Sequence, residues 1–154
     1  MADFGFTFGK QAIGRAAFNL VSADIRIILC MTSTTATVND GTGVDATFIS
    51  GITLDEFDGG GSHPPSFANR ELLLGTEFDA DTVNNRAEFS ATNHTVSSIP
   101  AGTRPIQGII VYYHVTNDAA SIPLVWIDSG GFPFTANGGD LIFSWNAEGI
   151  FQIT

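Results

Sequence analysis

Ile106-Gln107-Gly108-Ile109-Ile110-Val111-Tyr112-Tyr113-His114-Val115 is a run of β-branched and aromatic side chains whose reading settles the fold class. Such residues suit a pleated, packed surface, and a run of this kind bounded by turn residues reads as a strand. Downstream, Thr116–Ser121 is a turn region and Ile122–Asp128 the next strand, broken by Ser129-Gly130-Gly131. Asn137-Gly138-Gly139-Asp140 supplies another turn, Asn-Gly being the strongest short hairpin signal. Leu141, Phe143 and Trp145 then alternate with Ile142 and Ser144, and Ile150–Ile153 closes the chain.

Upstream the pattern repeats less regularly. Ile25–Thr32 is nearly continuous apolar sequence, as expected of a central strand covered on both faces. Thr32–Gly43 reads as a polar loop, Phe48–Phe57 as one short element, and Asp58–Pro65 as a Gly/Pro loop. Phe67–Phe78 and Arg86–Ala91 read as two strands around Asp79–Asn85, and Thr95–Ile99 as a further short strand. Strands recurring every 8–12 residues or so argue a sandwich or barrel. The expectation is an all-β antiparallel β-sandwich, jelly-roll-like, over residues 21–154.

Residues 1–20 are expected to form an extended N-terminal arm. Phe4, Phe6 and Phe8 alternate with small residues, which places three rings on one side of an extended segment. They read either as a first strand in the chain's own core or as an arm docked on a neighbouring subunit. The three rings are the candidate interface. Ile13, Ala16, Ala17 and Leu20 have helical spacing, enough for one or two turns.

With 154 residues, 44% hydrophobic and only 14% charged, the chain is a folded single domain by composition. Sixteen acidic against six basic residues give a net charge of -10. Phosphate polyanions are repelled by such a surface, so neither nucleic acid nor an anionic membrane is an expected partner. Cys30 is the only cysteine and reads as a buried, inert thiol. No secretory signal or membrane-spanning run is read, which fits synthesis in a reducing cytoplasm.

A search for chemistry returns no site. His63, His94 and His114 lack metal-ligand spacing. Asp79–Asn85 fails the calcium-loop pattern, with Val83 at a ligand position, and reads as an Asx-rich turn. Gly59-Gly60-Gly61 lacks the lysine of a phosphate loop, and there is no nucleophile elbow. Asp55, Glu56 and Asp58 form the densest acidic cluster and read as a solvated loop, although a glycan hydrolase would use such carboxylates. No catalytic residue, metal or cofactor is expected, and the chain is not read as an enzyme.

Several stretches, in order, match a known pattern. Asp24-Ile25-Arg26-Ile27-Ile28-Leu29 resembles a "D-x-I-K-V-x-L" strand, and Ser50-Gly51-Ile52 through Ala68-Asn69-Arg70 a Gly-rich middle ending in "A-N-K/R". Asn84–Ala91 is similar to "N-N-x-x-x-F-x-A", Arg104–Tyr113 to "R-x-x-x-x-I-I-Y", and Ser121–Asp128 to "S-x-P-L-x-x-x-I-D". Asn137–Asp140 and Trp145–Ile150 resemble the most specific pair, "N-G-G-D…W-N-A-x-G-I". Over roughly residues 10–154 the chain thus resembles a family of small virion-associated proteins of tailed bacteriophages. It departs at Val96, where the family has Trp nearby, and in its Phe-rich opening. The resemblance implies a β-sandwich on the virion, a head decoration (cement) protein bound to the major capsid protein. It implies no catalytic residues. Self-association as a trimer and a tail-associated or carbohydrate-binding alternative complete the expectations. Exposed Tyr112, Tyr113 or Trp126 would serve that alternative.

Overall fold

The computed structural model describes residues 4–36, 46–58 and 70–153. Its elements are β1 (Phe4–Gly5), α1 (Thr7–Gly14), β2 (Ile25–Met31), a 3-10 turn (Ile49–Gly51), β3 (Glu71–Leu72), β4 (Glu77–Asp81) and β5 (Arg86–Ser90). β6 (His94–Val96), β7 (Ile106–Tyr113), β8 (Ile122–Ile127), β9 (Leu141–Phe143) and β10 (Phe151–Ile153) follow. The protein is mostly β, with antiparallel sheets and little helix. A five-stranded sheet has the order β1-β8-β7-β2-β3, a three-stranded sheet β10-β5-β4, and β6 pairs with β9.

The long apolar runs lie where both sheet faces are covered. Side chains alternate across a strand. On β2 and β7, Ile25, Ile27, Leu29, Ile109 and Val111 enter one core, shared with Phe89 of β5, Val96 of β6 and Phe143 of β9. Ile28, Cys30, Ile110 and Tyr112 enter a second core on the opposite face, with Trp126, Phe6, Ile49 and Ile52. A strand buried on one face would tolerate polar residues at every second position, and β2 has one, Arg26, in seven. Cys30 is fully buried, and burial pushes its thiol well above the usual value.

The N-terminal segment is not the extended arm expected of it. Only Phe4–Gly5 is strand, paired with Trp126 and Val125 of β8. The Phe6 amide donates to the Leu124 carbonyl at 2.9 Å, and the Phe6 ring is fully buried in the second core. The helix then runs over Thr7–Gly14, ahead of the Ile13–Leu20 spacing that suggested one. Gly9 makes this possible. A Cβ there would stand 2.5 Å from the Pro123 carbonyl, so only glycine lets α1 lie this close to β8. Past Arg15 the chain turns at Ala16, whose φ of 52° ends the helix.

Two further expectations need correction. Phe67–Phe78 is not one strand: β3 pairs with β2 and β4 with β5. Thr92 clasps the break between them, its amide and hydroxyl both donating to the Leu74 carbonyl at 3.0 and 2.8 Å. Asn137–Asp140 is a turn but not a hairpin. The chain before it bridges Phe134 to Ile106, and β9 after it pairs with β6.

Candidate functional site

Of the expected interface, Phe6 is taken up by the chain's own core and so is not offered to a neighbouring subunit. Phe8 is half-buried, tilted against Phe48 with ring centroids 5.8 Å apart. The Phe4 side chain lies outside the described residues, as do His63 and Gly59-Gly60-Gly61.

Asp55 and Glu56 of the acidic cluster are committed to ion pairs. Asp55 accepts from Arg104 at 2.6 Å and from the Ser33 amide at 3.0 Å, and the Arg104 hydrogen bond holds its carboxyl below the usual range. Glu56 binds Arg70 through both oxygens, at 3.1 and 3.0 Å. Arg70 also reaches Asp118 at 2.5 and 3.2 Å and lies over the Tyr112 ring at 5.4 Å. Its side chain is 3% exposed. Burial alone would favour the neutral form, but the Glu56 and Asp118 hydrogen bonds outweigh it and raise its pKa. The result ties three separate segments together. Such a knot is structural, since one guanidinium binds two carboxylates and the three groups are turned on each other.

Two histidines are similarly occupied. His94 Nε2 and Glu71 Oε2 are 3.0 Å apart. His114 Nδ1 shares a 3.1 Å hydrogen bond with the Tyr112 hydroxyl, and its burial, followed by nearby Arg26, lowers its pKa. Asp81 behaves as an Asx-turn residue. Its carboxylate accepts from the Val83 and Asn84 amides at 3.1 Å each and from the Asn84 side chain at 2.6 Å. Among the described residues, no three His, Cys, Asp or Glu side chains are grouped to hold a metal.

A groove of about 950 Å³ lies open between β8 and the β9–β10 segment. Ile127, Phe132, Phe134, Phe143, Trp145 and Phe151 give it an apolar, aromatic lining. Trp145 stacks on Phe143 at 5.8 Å and 10°, and its indole N–H donates to the Thr92 carbonyl at 3.0 Å. Its ionisable lining residues are Lys10 and Glu148. Ile150, Phe151, Gln152 and Ile153 border the groove in unbroken succession, so it wraps around a strand edge as well as meeting a face. That edge is open: β10 pairs with β5, and no other described strand pairs with it.

The outer face of the same sheet is acidic. Glu77, Asp79 and Asp81 of β4 stand opposite Ser90, Glu88 and Arg86 of β5. Arg86 offsets part of this charge, bonding Asp81 at 3.1 Å, Glu88 at 2.8 Å and also Glu148. Asp79 directly opposes Glu88, a like-charge pair.

Sequence reading missed the groove because it lies where strands of different sheets part, β8 from β9 and β10. The only trace was the alternation of Phe143 with Trp145 just before the turn into β10. The fold and site together define a β-rich protein with an open, aromatic groove beside a strand edge that no other described strand pairs. Compared with known proteins, the chain matches no family model, no curated protein and no solved structure.

Proposed function

We propose that this is a bacteriophage virion structural protein, a head decoration (cement) protein that binds the major capsid protein and stabilises the shell. The observation that carries the reading is the open groove at the β10 edge, a surface suited to holding another chain. In contrast, the acidic, histidine and arginine side chains detailed above are largely satisfied among themselves. The sequence resemblance supports the same reading. In this proposal the large and small sheets form a jelly-roll-like sandwich, a view favoured by the core they share. The protein is made in the host cytoplasm, acts on the virion without cofactor or catalysis, and assembles as a trimer through surfaces other than Phe6. Many weak copies on a lattice gain avidity.

The test is to strip capsids of decoration and add back the purified protein. Restored heat resistance with saturable binding is the expected result; no binding and no gain would sink the proposal. Sedimentation equilibrium checks the trimer separately.

A tail-associated or carbohydrate-binding module is the second reading. Trp126 and Tyr112 are fully buried and cannot serve it, but the stacked Trp145–Phe143 pair in the groove favours it. A saturable hit on a glycan array, lost in Trp145→Ala, would move the assignment there.

A further inference from the structure

The β10 edge combines three features. On the side away from β5 no described strand pairs with its backbone, an apolar groove borders four consecutive residues, and the sheet it belongs to has an acidic outer face. An exposed edge with an apolar floor invites strand pairing, which proteins otherwise suppress with charge, proline or cover. On β10, Phe151 is packed against the core while Gln152 is exposed.

Resting on the virion reading above, we infer that the β10 edge is a strand-addition site for an extended segment of another virion protein. That segment carries apolar side chains on its inward face and Lys or Arg on its outward face. Backbone hydrogen bonds to the edge give affinity, and alternate side chains entering the groove give specificity. The basic outward face follows from charge. Glu148 borders the groove with its side chain 53% exposed; it shares Arg86 with Asp81 and Glu88, three carboxylates to one guanidinium, so the outward surface keeps a net negative charge. Glu88 lies opposite Gln152 on the next strand. A guest strand's outward residue would stand two strand spacings from Glu88, about 10 Å, just beyond the screening length of about 8 Å at physiological salt, so this attraction is weak there and strengthens as salt is lowered. A second copy of this chain is the wrong guest, since each copy carries a net charge of -10.

The probe is a fluorescein-labelled peptide of about seven alternating Val and Lys residues, a typical strand length. Its controls are the Val/Glu peptide, which inverts the charge, and the Ser/Lys peptide, which removes the apolar face. The expected result is binding about tenfold tighter than either control, with slowed amide hydrogen exchange across Ile150–Ile153. Glu148→Lys and, independently, Ile153→Lys should each weaken it about tenfold, with circular dichroism confirming that both variants fold. Equal binding of the Ser/Lys peptide, or saturation without protection of β10, overturns the inference. Capsid rebinding separates the two proposals. Unaltered rebinding by both variants overturns the groove as the docking site and leaves the virion reading standing. Peptide binding with β10 protection, but no capsid rebinding by the unmodified protein, supports the groove and overturns the virion reading.

Discussion

Individual residues show what the stretches Asn137–Asp140 and Asn146–Gly149 do. Asn137 Oδ1 accepts from the Gly139 amide at 3.0 Å, and Asp140 Oδ1 accepts from the Ser98 amide at 2.8 Å. Asn146 Oδ1 caps the Glu148 amide at 3.0 Å, and Gly149 adopts a φ of 84°. A Cβ on Gly149 would meet the Phe89 carbonyl oxygen at 2.6 Å. These residues shape turns, so what they carry is fold. Gly149→Ala should therefore cost about 1–3 kcal/mol, from strain at positive φ and a backbone clash. A urea midpoint unchanged from the parent would contradict it. Trp145 is only half-buried, so the full cost of truncating a core aromatic, about 3–5 kcal/mol, is not expected. Trp145→Ala should cost about 2 kcal/mol, from its stack on Phe143 and its bond to Thr92. Phe6→Ala should cost the full core amount, about 3–5 kcal/mol, whereas a free arm would lose almost nothing. Thermal denaturation of the two variants side by side distinguishes these cases.

Between elements, charge does what apolar packing cannot. Arg70 links the start of β3 to the segment at Glu56 and to the β7–β8 connection at Asp118. Removing one partner of a buried pair strands the others, so Arg70→Ala should destabilise by about 3 kcal/mol. A loss under about 1 kcal/mol by chemical denaturation would show that solvent replaces the guanidinium. The outer face of β4–β5 behaves oppositely. Asp79→Lys replaces a like-charge pair with Glu88 by an attractive one and should stabilise by about 0.2–1 kcal/mol. The gain should shrink at high salt, because both groups are near solvent. The strands themselves were readable where both faces are apolar, as on β2, β7 and β8. The short strands were harder. β3 and the start of β4 ran together in sequence because Leu72-Leu73-Leu74 gives no sign that Leu73 alone is buried. What divides them is Thr92, a residue distant in the chain.

For the whole molecule, the ionisable groups set the pH response. His114 is held below its usual pKa by burial first and by Arg26 second. The unfolded chain therefore takes up a proton on His114 at a higher pH than the folded one. Its contribution is present above the unfolded value near 6.5 and is lost as pH falls through the lower folded value. Stability should decline between neutral pH and about pH 5, and the decline should be shallower in His114→Gln. Denaturation midpoints across that range check it; an identical slope in the variant would exclude His114 as the source. Asp24 and Asp55, depressed chiefly by their hydrogen bonds to Arg26 and Arg104, add a second loss at more acid pH. Their contribution is present above the ordinary carboxylate value and disappears as pH drops through the folded one.

Composition and periodicity by themselves determined the β class, the doubly covered strands and the buried Cys30, because apolar alternation is a local property written along the chain. They also determined an acidic surface and the turn role of Asp81. Only the tertiary structure decided that Phe6 belongs to the chain's own core, since that depends on Gly9 letting a helix settle against β8. It alone decided that β10 ends a sheet and overlooks an open groove, because which strands lack a neighbour is fixed by pairings between residues far apart in sequence.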